Sequence, residues 1–151
     1  MKILCGIDLG TQSCKIVLYD YEKKRIVETA QVPIELIAAN DGTREQKAEW
    51  YREALKASFA KLSETARKSI IALGVSGQQH GFVPLDAKGK SLYNVKLWCD
   101  TSTQEECEEL TKASGGTPIM RNVAEYNKIP YVTSYYGQGL AMLALSEKTR
   151  G

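Results

Sequence analysis

The alternation of apolar and polar positions begins with a short buried strand. Residues 3–7 form a continuous apolar run that Asp8 ends; Gly10, Thr11, Gln12 and Ser13 make a tight polar turn, and residues 14–19 form a second strand. A charged turn over 20–25 follows, then a loosely alternating run over 26–36. Pro33 in that run lacks a ladder donor, so the strand belongs at a sheet edge. Residues 38–43 read as a loop turned at Asp41-Gly42. The clearest helix spans 44–68: Thr43 and Gln46 have capping-box spacing, and Tyr51, Leu55, Phe59, Leu62 and Ala66 share one core-facing stripe. A β-branched strand over 70–76 is expected to be buried and parallel to the first. Residues 82–85 and 94–98 read as further strands around a turn at 87–90. Residues 103–114 read as a helix with a Thr103–Glu106 capping box, a stop at Gly115, and a solvated acidic face of Glu105, Glu106, Glu108 and Glu109. Residues 140–148 complete the pattern as a short amphipathic helix.

Composition narrows the class. The 151 residues suffice for one domain with a real core, and 43% hydrophobic residues is ordinary for a globular chain. A net charge of +2 is too small to imply a nucleic-acid or membrane-surface partner. No run approaches the ~20 apolar residues of a membrane span, and Asp8 interrupts the one apolar N-terminal run, so no signal peptide is expected. Cys5, Cys14, Cys99 and Cys107 contain no CxxC pair and read as reduced thiols of a cytoplasmic protein. With His80 as the sole histidine, a zinc site is not expected.

Two stretches carry candidate chemistry. A hairpin tip of Gly10, Thr11, Gln12 and Ser13 can aim N–H groups and hydroxyls at a phosphate, Lys15 adds positive charge, and Asp8 can hold Mg²⁺ directly or through water. The same residues also suit an ordinary polar hairpin. Further on, Gln78, Gln79 and His80 lie between Gly77 and Gly81 at a strand end, where open α/β sheets bind ligands. Amides and an imidazole donate and accept hydrogen bonds, which suits a polyhydroxyl ligand; a hydrogen-bonded loop histidine is the plainer alternative.

The stretch GIDLGTQSCKIVLYD closely resembles the first phosphate motif of the FGGY carbohydrate kinases, within the actin/hexokinase/Hsp70-like ATPases. It does not resemble the G-x-x-x-x-G-K-[ST] nucleotide loop. The run GVSGQQHGFVPLD resembles the sugar-binding strand and loop of xylulose kinases, with Gln79 where Met is commonest, and lacks the Arg and Glu usual in the glycerol-kinase branch. Leu97-Trp98-Cys99-Asp100-Thr101 resembles the family's Trp-x-Asp motif. These motifs stand in the family's order over the first ~115 residues; from about Thr117 the likeness weakens.

The resemblance implies an α/β domain of the actin-like, ribonuclease-H-like type, with a five-stranded mixed sheet flanked by helices. It implies a catalytic, Mg²⁺-linked role for Asp8, and phosphate contacts by Gly10, Thr11, Gln12, Ser13 and Lys15. It implies sugar contacts by Gln78, Gln79, His80, Trp98 and Asp100, although Trp98 also suits core packing. The activity implied is transfer of the ATP γ-phosphate to a ketose, foremost D-xylulose. Residues 1–151 would be the N-terminal domain, with the general base and most of the ATP pocket in a second domain outside this chain. A small-molecule sugar is the expected partner, and a homodimer is admitted for the full-length enzyme. Two alternatives stay open: an FGGY kinase for another pentulose, a heptulose or a polyol, and a non-catalytic actin-like assembly module.

Overall fold

The computed structural model describes residues 2–113. The chain divides into two compact units. The first holds Met1–Leu36, Gln46–Gln79 and Leu85–Asn94; the second holds Ile37–Glu45, His80–Pro84 and, among the described residues, 95–113.

The first unit is built on a meander. Strands β1 (Ile3–Leu9), β2 (Ser13–Asp20) and β3 (Arg25–Pro33) pair antiparallel, and β6 (Ile70–Gly77) adds to β1 in parallel, giving the order β3-β2-β1-β6. Alternation on the first two strands sorts their faces. Ile3, Cys5 and Ile7 of β1 and Cys14, Ile16 and Leu18 of β2 are buried on one face, while Gly6, Asp8 and Lys15 are exposed on the other. Ile16 and Leu18 are fully buried, and each such side chain contributes about 1.5–3 kcal/mol. Pro33 lies on the edge strand, as its missing donor requires.

Helix α1 (Ala48–Ala60) packs its Ala54 and Ser58 face on β2 and β3, and Ser58 Oγ donates to the Cys14 carbonyl at 3.3 Å. The single helix expected over 44–68 is thus three elements. Residues Arg44–Gln46 form strand β5, because the Gln46 side chain bonds to distant carbonyls instead of capping a helix. At the far end Ser63 interrupts the helix: its backbone is extended, and its Oγ accepts from Ala66 N at 3.3 Å, capping a separate α2 (Glu64–Lys68). The stripe still faces inward. Leu62 and Ala66 are buried, with Tyr51, Leu55 and Phe59 packed against the core.

The β6 strand departs from expectation. It is parallel to β1, as predicted, yet Ile71, Leu73 and Val75 are 59–64% exposed, because nothing among the described residues covers them. The main sheet also has four strands among the described residues, not five. Residues 82–85 do not extend it; Phe82 and Leu85 make only isolated bridges, to Lys96 and Ser91 within their respective units. Pro84 withholds a ladder donor between them.

The second unit carries a small sheet in the order β4-β5-β7, from β4 (Ile37–Ala38), β5 and β7 (Val95–Lys96). The expected loop over 38–43 is the turn of the β4–β5 hairpin, and the strand expected over 94–98 is confined to Val95–Lys96. Gly42 has φ +93°, and a Cβ there would lie 2.3 Å from Thr101 Oγ1. Only glycine fits that position. Helix α3 (Gln104–Ala113) closes the described part, with Glu105, Glu108 and Glu109 exposed as expected. Expectations for the stop at Gly115 and for the helix over 140–148 lie outside the described residues.

Candidate functional site

In the first unit the β1–β2 hairpin is paired to its last residues, Leu9 opposite Cys14, so Asp8 sits within β1 and does not end it. The tip closes by Gly10 N–H donating to the Ser13 carbonyl at 3.0 Å, and Ile34 N–H anchors the Gln12 carbonyl at 2.9 Å. Ser13 Oγ accepts from Gln31 Nε2 at 2.9 Å. Register places Asp8 between Lys15 on β2 and Ser76 on β6, all on the face opposite the core. Gly6 and Gly74 supply no side chains beside them, and the result is an open concavity of about 470 Å³. Asp8 and Lys15 are exposed within it.

This donor set suits a hydrated divalent cation carried with a phosphate. One carboxylate and neighbouring hydroxyls are hard oxygen donors, and no group of three or more metal-ligating side chains gathers among the described residues. Mg²⁺ commonly binds in that way, through one or two carboxylates plus water and phosphate oxygens. A bare phosphate beside Asp8 would be repelled; a cation between them removes the conflict, and Lys15 adds to it.

Strand β6 delivers Gln78 to the same end of the sheet. A Cβ on Gly77 would lie 3.3 Å from the Leu9 carbonyl, so glycine lets the strands close there, and Gln78 N–H bonds to that carbonyl at 2.9 Å. The Gln78 side chain then meets the hairpin directly: Thr11 Oγ1 donates to Gln78 Oε1 at 2.9 Å. Gln78 Nε2 donates to the Tyr51 hydroxyl, which donates to Gln46 Oε1. Fully buried Gln46 donates from Nε2 to the carbonyls of Thr11 at 2.8 Å and Glu35 at 2.7 Å. Burial pushes the Tyr51 hydroxyl up to about 12, against a smaller opposing effect of its bond with Gln78.

In the second unit His80 adopts φ 63°, a left-handed conformation uncommon for a residue with a side chain. Trp98 is 54% exposed. Asp100 is buried: Oδ2 accepts from Arg44 N–H at 2.6 Å, and Oδ1 accepts from Ser102 N at 3.0 Å, Ser102 Oγ at 2.7 Å and Lys96 Nζ at 3.1 Å. Lys96 Nζ also reaches Glu45 Oε1 at 3.2 Å, which makes a buried ion triad. Burial alone would lower the Lys96 pKa, but Asp100 and then Glu45 more than reverse this, and it is raised.

Of the residues predicted from sequence, Thr11 and Gln78 are brought into direct contact, Asp8 and Lys15 share a face, and Gln12 and Gln79 are exposed. His80, Trp98 and Asp100 belong to the second unit. Sequence reasoning missed Gln46, Tyr51, Glu45 and Lys96. A signal existed for Lys96, a lysine between apolar Val95 and Leu97 in a strand pattern. Tyr51 read only as part of a core stripe.

The profile of the FGGY family of carbohydrate kinases, N-terminal domain, matches residues 3–136. The chain is 38% identical to a xylulose kinase of Haemophilus influenzae over 118 residues, covering 74% of this chain and 24% of that protein. It is 36% identical to a xylulose kinase of Bacillus subtilis, covering 76% of this chain and 23% of that one. The crystal structure of a xyloylose kinase from Brucella ovis superposes with a TM-score of 0.67 at 30% identity, over 79% of this chain and 25% of that one. The chain therefore spans about a quarter of the length of the curated relatives it matches.

Proposed function

The chain belongs to the FGGY family of carbohydrate kinases, and from that premise we propose that it forms the N-terminal domain of an ATP-dependent ketose kinase acting on D-xylulose. The bond between Thr11 and Gln78 carries this reading, because it joins the phosphate hairpin to the proposed sugar loop. Mg²⁺ bound with ATP would supply charge neutralisation at the transferred phosphate. On the protein side, Asp8 holds the hydrated cation, while Lys15 and the Gly10–Thr11–Gln12–Ser13 tip hold phosphate oxygens. Gln78, Gln79 and His80 orient the sugar hydroxyls, and Trp98 offers an aromatic face to the sugar C–H surface. Asp100 bounds the sugar pocket and, through Arg44 and Lys96, fixes the turn that presents Trp98. The general base and most of the adenine pocket fall to a second domain, and the enzyme works in the cytoplasm.

A coupled ADP assay on the full-length protein with a panel of pentuloses, heptuloses and polyols tests this. D-xylulose should rank first. A clear preference for another sugar would overturn the substrate, and no turnover with any sugar, together with ATP-dependent filaments, would overturn the kinase reading in favour of an assembly module.

A further inference from the structure

The amide of Gln78 is held from both ends, and the holding groups close a ring. Thr11 Oγ1 donates to Gln78 Oε1, Gln78 Nε2 donates to Tyr51 and, at 3.4 Å, to Gln46 Oε1, Tyr51 donates to Gln46 Oε1, and Gln46 Nε2 returns to the Thr11 carbonyl. The direction of every bond follows from one anchor. Gln46 Nε2 faces two backbone carbonyls, which only accept, so the Gln46 amide has one workable orientation and its Oε1 must face Tyr51. A hydroxyl has one proton. Tyr51 gives that proton to Gln46 and is left as an acceptor toward Gln78, which must present its NH₂. That turns Gln78 Oε1 toward Thr11 and makes the Thr11 hydroxyl the donor. Flipping the Gln78 amide would set two acceptors, Gln78 Oε1 and Gln46 Oε1, against the single Tyr51 proton, at the cost of an unsatisfied polar group.

We infer that Tyr51 is a positioning residue, which together with the longer bond to Gln46 Oε1 sets the orientation of the Gln78 amide and thereby ties the phosphate hairpin to the sugar-side loop. Gln46 is its anchor. This rests on the assignment of Gln78 to the sugar side. Tyr51 is half-buried, and its desolvated hydroxyl, pushed up to about 12, keeps its proton throughout the working range of the enzyme. With the two Nε2 hydrogens directed at Tyr51 and Gln46, the remaining lone pair of Gln78 Oε1 is what a sugar hydroxyl meets, which favours ketoses whose hydroxyl can donate there.

The test is a double-mutant cycle in the full-length protein, with rates measured against ketose and ATP for wild type, Tyr51→Phe, Gln78→Ala and the double variant. Tyr51→Phe removes one oxygen and keeps the packed ring. Its ketose KM should rise about 5- to 20-fold, with a smaller change in the KM for ATP; the melting temperature should fall as well, since buried Gln46 Oε1 loses a donor, so the split between the two KM values is the readout. Added to Gln78→Ala, Tyr51→Phe should change nothing further, because the amide it orients is gone. Gln78→Glu gives a second handle: its carboxylate cannot donate to Tyr51 but can accept the Tyr51 proton, so the effect of Tyr51→Phe should differ there from its effect in wild type. A Tyr51→Phe enzyme equal to wild type, or one with the same fold-loss in all three backgrounds, would overturn the inference. Failure of the underlying assignment looks different: Gln78→Ala itself would leave the ketose KM unchanged.

Discussion

Replacing Lys96 by methionine removes the charge and, with it, the hydrogen bonds to Asp100 and to Ser102 Oγ at 2.6 Å. The stem keeps its length and its packing, but Glu45 and Asp100 lose the ammonium that lies 3.2 Å and 3.1 Å away, at side-chain exposures of 4%, 5% and 0% for Lys96, Glu45 and Asp100. At an effective dielectric of about 20, each such contact is an attraction of about 5 kcal/mol before desolvation is counted. Breaking a buried pair from one side typically costs about 3–5 kcal/mol, since the remaining carboxylate stays buried. That is a large share of the ~5–15 kcal/mol that holds a domain together. Fluorescence in urea reads this in the second unit if Trp50 is first replaced by Phe, leaving Trp98 as the reporter. With a urea dependence of ~2 kcal/mol per molar, the midpoint should fall by about 1.5–2.5 M. The pH dependence has a definite sign. The folded pKa of Lys96 is raised above the ordinary 10.5. Its contribution is therefore fully present below that value and is lost only as pH rises through the higher folded one. The gap between wild type and Lys96→Met should hold from neutrality into the alkaline range and close only there. A loss below about 1 kcal/mol, typical of an exposed pair, would show that water reaches the ammonium and that the triad is not enclosed.

Four further outcomes are expected. His80→Ala should raise the ketose KM of the full-length enzyme with little change in the KM for ATP, at a cost of about 1–3 kcal/mol in sugar binding; equal effects on both substrates would move His80 off the sugar side. His80→Gly should weaken sugar binding similarly yet melt higher than His80→Ala, because glycine relaxes the φ of 63°. Asp8→Asn should fold normally, since Asp8 is exposed, and nearly abolish kcat; a folded variant with normal kcat would remove Asp8 from the chemistry. Gly42→Ala should lower the melting temperature by several degrees, as its methyl meets Thr101 at 2.3 Å, and the midpoint monitored at Trp98 checks it.

The parts of the fold written in local periodicity were legible. The apolar runs over 3–7 and 14–19 on either side of a polar turn gave the hairpin, and Pro33 gave the edge, but which face of each strand is buried came only with the structure. Periodicity also misled where it ran across a break. The apolar stripe continues through Leu62 to Ala66, so nothing in it reveals that Ser63 ends one helix and caps another. Arg44–Gln46 looked helical because Gln46 stands at capping distance from Thr43, whereas its amide bonds to Thr11 and Glu35, contacts that no local pattern encodes. Burial of β6 was inferred from its β-branched residues, but burial needs a covering layer. The same limit applies to the candidate site. Residue types marked Thr11 and Gln78 as ligand-facing, but their mutual bond, and the Tyr51 and Gln46 behind it, exist only after the fold brings distant segments together.

The bond between Thr11 and Gln78 spans 67 residues of sequence, and this has a kinetic consequence. The β1–β2–β3 meander closes through short turns and can form early, whereas the parallel β1–β6 pairing must wait for a long loop to close. The ring through Tyr51 is therefore complete only when the slowest contacts of the first unit have formed. A partly folded chain would carry a finished hairpin and an unfinished binding end, so ligand would select fully folded molecules and slow their unfolding. Refolding followed by ligand binding should lag refolding followed by strand content.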